Sequence, residues 1–91
     1  MRIYIPDSED LKTQKCLTEL EVFKHYVVSS VDVEQLERQL NKIISILENL
    51  ENQTESLTFA RDLISAIGEE DEKSLIERTK KVILSVNTTR D

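Results

Sequence analysis

The chain has 91 residues, 33% of them charged and 38% hydrophobic, a net charge of −6, and one glycine, one proline and one cysteine. That length allows one domain with a modest core, and so little glycine and proline excludes a turn-rich β sandwich or barrel and leaves helices. The acidity argues against nucleic-acid binding, which needs clustered Lys and Arg; the nearest group, Arg78, Lys80, Lys81 and Arg90, is small and stands close to acidic residues.

Residues Arg2 to Ile5 alternate polar and apolar until Pro6, which predicts a short extended arm over residues 1–6. Such an arm must lie across the bundle, pair with its copy in a dimer or add to a partner's sheet, because a lone strand leaves its backbone groups unpaired. The same segment lacks the apolar run of a signal peptide, and no stretch reaches transmembrane length. With Cys16 as the lone cysteine no internal disulfide can form, so a cytoplasmic, intracellular protein is expected.

Asp7 or Ser8 caps a first helix over 8–28, whose opening turn carries Glu9 and Asp10 at the positive end of the helix dipole. Its apolar stripe is Cys16, Leu20, Phe23 and Val27, widened by Leu17 and Val28. Ser29, Ser30 and Val31 form a connection short enough to make the next helix an antiparallel neighbour. Asp32 then caps the following stretch, with Gln35 completing a capping box.

Residues 33–67 contain neither glycine nor proline, and Val33, Leu36, Leu40, Ile43, Leu47, Leu50 and Leu57 recur at heptad spacing with Thr54 in one seam position. Beyond Leu57 the seam shifts to Ala60, Ile64 and Ile67, with Leu63 alongside, a phase slip of the stammer kind. With no strong breaker present, the pattern favours one long central helix; the alternative is a break near 52–55, with Asn52 left-handed and Thr54 capping a new helix. A continuous helix would span about 50 Å with only two helices in each cross-section, so a second copy would have to complete the bundle. A break lets the chain close into a monomeric four-helix bundle.

Gly68 follows the last periodic residue, where a helix needs a left-handed closing position. Glu69 to Glu72 then open a last helix over 71–86 with the stripe Leu75, Ile76, Thr79, Val82, Ile83 and Val86, in which Glu77 can pair with Lys81; residues 87–91 are expected to fray. The fold class is therefore all-α, a small antiparallel bundle of three helices, or of four if the central helix breaks.

Catalytic chemistry is hard to place. Cys16 and His25 are nine residues apart on one helix, a rotation of about 900°, so they project from opposite faces and form no dyad. One cysteine and one histidine make no zinc site without several carboxylates, the Glu69 to Glu72 run lacks the ligand pattern of a calcium loop, and one glycine builds no phosphate loop. No enzyme activity, metal or cofactor is expected. The segment Cys16-Leu17-Thr18-Glu19-Leu20-Glu21-Val22, preceded by Tyr4-Ile5-Pro6, resembles the second-helix region of the short-chain four-helix cytokines of the interleukin type. The likeness covers about a fifth of the chain and no residue role is carried over, because those proteins have an earlier helix, a secretion signal and disulfides.

Surplus apolar surface is the remaining signal. Ile44 and Ile46 flank the seam residues Ile43 and Leu47, giving a face wider than a two-stranded coiled coil uses. Ile43, Ile44, Ile46, Leu47 and Leu50, with Ile3 and Ile5 of the arm, are the candidate partner-binding residues. The expected function is a non-enzymatic protein-protein interaction module, such as an adaptor, inhibitor, immunity-type or assembly factor; the alternative is a structural subunit whose long helix drives homodimer formation. Neither nucleic acid nor membrane is an expected partner.

Overall fold

The computed structural model describes residues 8–89, so the arm over 1–6, Ile3 and Ile5 included, lies outside the described residues. Four helices follow in order: α1, Ser8–Val28; α2, Val33–Glu48; α3, Thr54–Ala66; and α4, Glu72–Thr89. Each packs against two others, α1 on α2 and α4, and α3 on α2 and α4, so the chain runs up, down, up and down around one core.

Local chemistry explains the first corner. The α1 stripe Cys16, Leu20, Phe23 and Val27 is buried as its spacing predicts. The helix ends in paired hydrogen bonds, Val31 N–H to Tyr26 O at 3.3 Å and Ser30 N–H to Val27 O at 3.2 Å. That is a Schellman closure, with Ser30 at φ 59° where glycine is the usual occupant. Asp32 then caps α2 as expected, its carboxylate accepting from the Gln35 N–H at 2.9 Å.

The central stretch is broken near 52–55, so the four-helix alternative holds and the favoured single long helix does not. Residues 49–53 turn the chain back, with Asn52 left-handed at φ 59°. Gln53, rather than Thr54, is the cap residue of α3, and its side chain makes no capping bond. The reason lies in the phase of the buried faces. Leu36, Leu40, Ile43 and Leu47 are buried on α2, and Ser56, Ala60 and Leu63 on α3. Leu47 and Ser56 are nine residues apart, so on one straight helix they would point about 180° away from each other. Folding back at Asn52 brings both faces onto one core. The seam beyond the break is correspondingly re-read: Leu63 is its fully buried centre, while Leu57 and Ile64 are half-buried flanks.

Gly68 keeps its predicted role in a more specific form. Ile67 is extended at φ −62° and ψ 128°, Gly68 has φ 86°, and the Glu69 N–H bonds to Ala66 O at 3.0 Å, which makes a type II turn. A Cβ there would meet only Val33, at 3.9 Å, so backbone conformation rather than space requires the glycine. Asp71 caps α4 by accepting the Ser74 N–H at 2.9 Å. The helix then continues to Thr89, three residues beyond the end its apolar stripe predicts, so residues 87–89 are helical rather than frayed.

Phe23, Leu20, Leu40, Ile43, Leu47, Leu63, Val82 and Val86 are the largest fully buried side chains, drawn from all four helices. Polar groups that enter this core are hydrogen-bonded. Gln39 Nε2 donates to Glu19 O at 3.0 Å, Thr79 Oγ1 to Leu75 O at 2.7 Å, and the Ser56 hydroxyl to Gln53 Oε1 at 2.7 Å. Among the described residues no buried side-chain nitrogen or oxygen lacks a partner, and no described helix is long and apolar enough to cross a membrane.

Candidate interaction surfaces

The candidate residues of the central stretch are largely consumed by the core. Ile43 is wholly buried, Leu47 is 2% exposed and Leu50 9%. Ile44 and Ile46 are half-buried and packed against that core. Their positions on α2 explain why the apolar face is so wide. Ile46 falls on the row of Gln39 and Lys42, which reach across to Glu19 of α1, the lysine at 3.3 Å. Ile44 lies one turn before Glu48, which accepts from Arg61 of α3 at 3.3 Å. One isoleucine therefore seals the α1 side of α2 and the other seals the α3 side. Both side chains remain partly exposed at the edges of this packing. Ile3 and Ile5 lie outside the described residues.

The apolar surface left to solvent lies elsewhere. Among the described residues, Leu11, Val28, Val33 and Leu84 are the exposed large hydrophobic side chains, and Leu84, at 67%, is the most open of them. Buried α4 residues Leu75, Thr79, Val82 and Val86 define its inner face. Leu84 stands about 170° from the centre of that face, outward among Glu77, Lys81 and Thr88. With the half-buried Phe59 of α3 it walls a shallow groove of about 420 Å³ between α3 and α4, completed by Glu55, Lys81, Ser85 and Thr88. Its floor is tied together by polar contacts. Ser85 Oγ lies 2.8 Å from Ser56 Oγ, which continues to Gln53 and so links the groove to the α2–α3 corner. Lys81 Nζ sits 4.7 Å from the centroid of Phe59, so the expected Glu77 partner is replaced by an aromatic face. The sequence signal for this groove was Leu84 itself, an apolar residue that fits no position of the α4 stripe.

A second feature is a charged end. Val33 meets Gly68, so the α1–α2 and α3–α4 corners are neighbours at one pole of the bundle. There Asp32, Glu34, Glu69, Glu70, Asp71 and Glu72 stand against Lys73, which leaves −5 of the chain's net −6 in residues 28–34 and 67–73. Two helices start at this pole and two finish, so their dipoles largely cancel and the field of the carboxylates remains. Arg78 neutralises one of them, its Nε and Nη2 gripping both Glu70 oxygens, and this clamp holds the guanidinium above its ordinary value. Asp71 is pulled below its usual value of 3.8, chiefly by the Ser74 N–H it accepts. No three of these groups converge closely enough to hold a metal ion among the described residues.

Cys16 is wholly buried, and burial, with the nearby Glu19 carboxylate adding to it, pushes its thiol up to about 12. His25 is exposed near the end of α1. The two are not brought together. No known protein family, curated protein or solved structure matches this chain.

Proposed function

We propose that the protein is a non-enzymatic protein-protein interaction module, of the adaptor, inhibitor or assembly-factor kind. The reading is supported by one observation above the rest: the bundle closes its own core with all four helices, yet keeps Leu84 exposed beside Phe59 in a groove between α3 and α4. What distinguishes Leu84 from the other exposed apolar side chains is that it shares a groove with an aromatic ring, an apolar centre rimmed by polar groups as binding faces have. This moves the binding face from α2 to α3 and α4. A structural role built on a long helix loses its basis, because that helix is two. The reading includes an intracellular setting, in keeping with the lone buried thiol, and protein rather than nucleic acid or lipid as partner, in keeping with the acidic surface.

The test is affinity capture from the native host's lysate with the wild-type chain and with Leu84→Asp, after circular dichroism has shown equal helix content. The expected result is a protein, of this sequence or another, that the wild type retains and the variant loses. Identical captured sets would refute the reading.

A further inference from the structure

The groove between α3 and α4 is matched in charge to itself. We infer that its occupant is a second copy of this chain, and that the protein forms a two-fold dimer through Phe59 and Leu84. The inference rests on the reading of this groove as a protein-binding face and names its partner.

The argument starts from charge. The α3 wall carries Glu55 and the α4 wall carries Lys81, with Leu84 and Phe59 in the same groove. A patch with one acid and one base flanking an apolar centre is self-complementary about the two-fold axis that bisects the line joining them. In a dimer of this kind each residue meets its counterpart reciprocally, so Glu55 of each copy faces Lys81 of the other while each Leu84 enters the opposite groove beside Phe59.

Long-range charge also favours this face. Two chains of net charge −6 repel one another, and the repulsion is smallest where the acidic pole is farthest away. Among the described residues the groove lining holds one carboxylate and one ammonium, which balance. Asp71, at the pole, lies 13 residues before Leu84 on or beside α4, a distance of about 20 Å along the axis. That is about two Debye lengths at physiological salt, so copies that touch at the groove keep their acidic ends electrostatically apart. The patch is small, so the dimer is expected to be weak and to form with rising concentration.

Sedimentation equilibrium from about 10 µM to about 1 mM, the range in which weak dimers form, is the direct test. The wild type is expected to approach twice the monomer mass, and Leu84→Asp to remain monomeric. Charge reversal supplies the sharper readout. Glu55→Lys alone places like charges opposite each other at both contacts, and so does Lys81→Glu alone, so each variant is expected to be monomeric. Mixed one to one, they restore both pairs and dimerise. A general loss of stability would not be repaired by mixing two separately weakened chains. A wild type that stays monomeric at the top concentration overturns the inference, as does a mixture no more associated than its components. If the wild type is monomeric but still retains a different protein through Leu84, this inference falls and the broader interaction-module reading stands.

Discussion

Among the described residues three sit in left-handed backbone conformations, and only one of them is the glycine that such a position favours. Ser30 and Asn52 both have φ 59°. Each closes a corner without the freedom of a residue lacking Cβ, which costs of order 1 kcal/mol. Ser30→Gly and Asn52→Gly are each expected to raise unfolding stability by up to about 1 kcal/mol in urea titrations, the gain in the folded state being partly offset by greater unfolded-chain entropy. Gly68→Ala should destabilise by about 1 kcal/mol, because conformation and not space is the constraint. Cys16 offers a different residue-scale test. With its thiol raised to about 12 and no exposed surface, reaction with a thiol probe should follow global unfolding and stop when denaturant is absent. Asp71 sets a pH dependence of known sign. Its folded value is depressed by the Ser74 N–H, so its contribution is complete above the unfolded value near 3.8 and disappears as pH falls through the lower folded one. The stability difference between wild type and Asp71→Asn should therefore shrink on acidification below about pH 4.

At the scale of elements, α2 shows how the same residues serve two incompatible readings. Ile44 and Ile46 widen an apolar face, and a wide face signals either a partner or two internal neighbours; here α1 and α3 are those neighbours. Replacing both with Glu should unfold the chain rather than leave a folded monomer that has lost its partner. Two charges would enter the edges of the core, at a cost of several kcal/mol against a total stability of about 5–15 kcal/mol. Circular dichroism melting separates these outcomes. The boundaries of α1 and the start of α2 were legible because a cap and an apolar stripe mark them locally. The break between α2 and α3 was harder to read. Asn52 is a weak breaker, and heptad spacing across it was nearly kept; only the half-turn between the two buried faces shows that one straight helix fails. The groove was missed for the opposite reason. Leu84 matters by not fitting its stripe, and Phe59 by lying opposite it across the α3–α4 packing.

For the whole molecule, antiparallel order gathers two acidic corners at one pole and leaves the rest of the chain close to neutral. Carboxylates that are modestly spaced in sequence become mutual neighbours there, and their repulsion opposes folding. Added salt screens it, so the melting temperature should rise between about 10 and 150 mM NaCl. Glu69→Lys, placed just beyond the end of α3, should raise the melting temperature at low salt and reduce the salt effect. A melting temperature that falls with salt in the wild type would show that ion pairs such as Glu70–Arg78 outweigh the repulsion.

The sequence alone determined that the protein is helical, where α1 and the corner at Gly68 lie, and that Cys16 belongs inside, because caps, stripes and the one glycine act over a few residues. It also carried the acidic charge. Tertiary structure alone decided whether residues 33–67 form one helix or two, since that depends on which side of α3 meets the core. It alone decided that Ile44 and Ile46 face internal neighbours and that Leu84 and Phe59 share a groove. Those are relations between helices, set by packing phase rather than by any local preference of the chain.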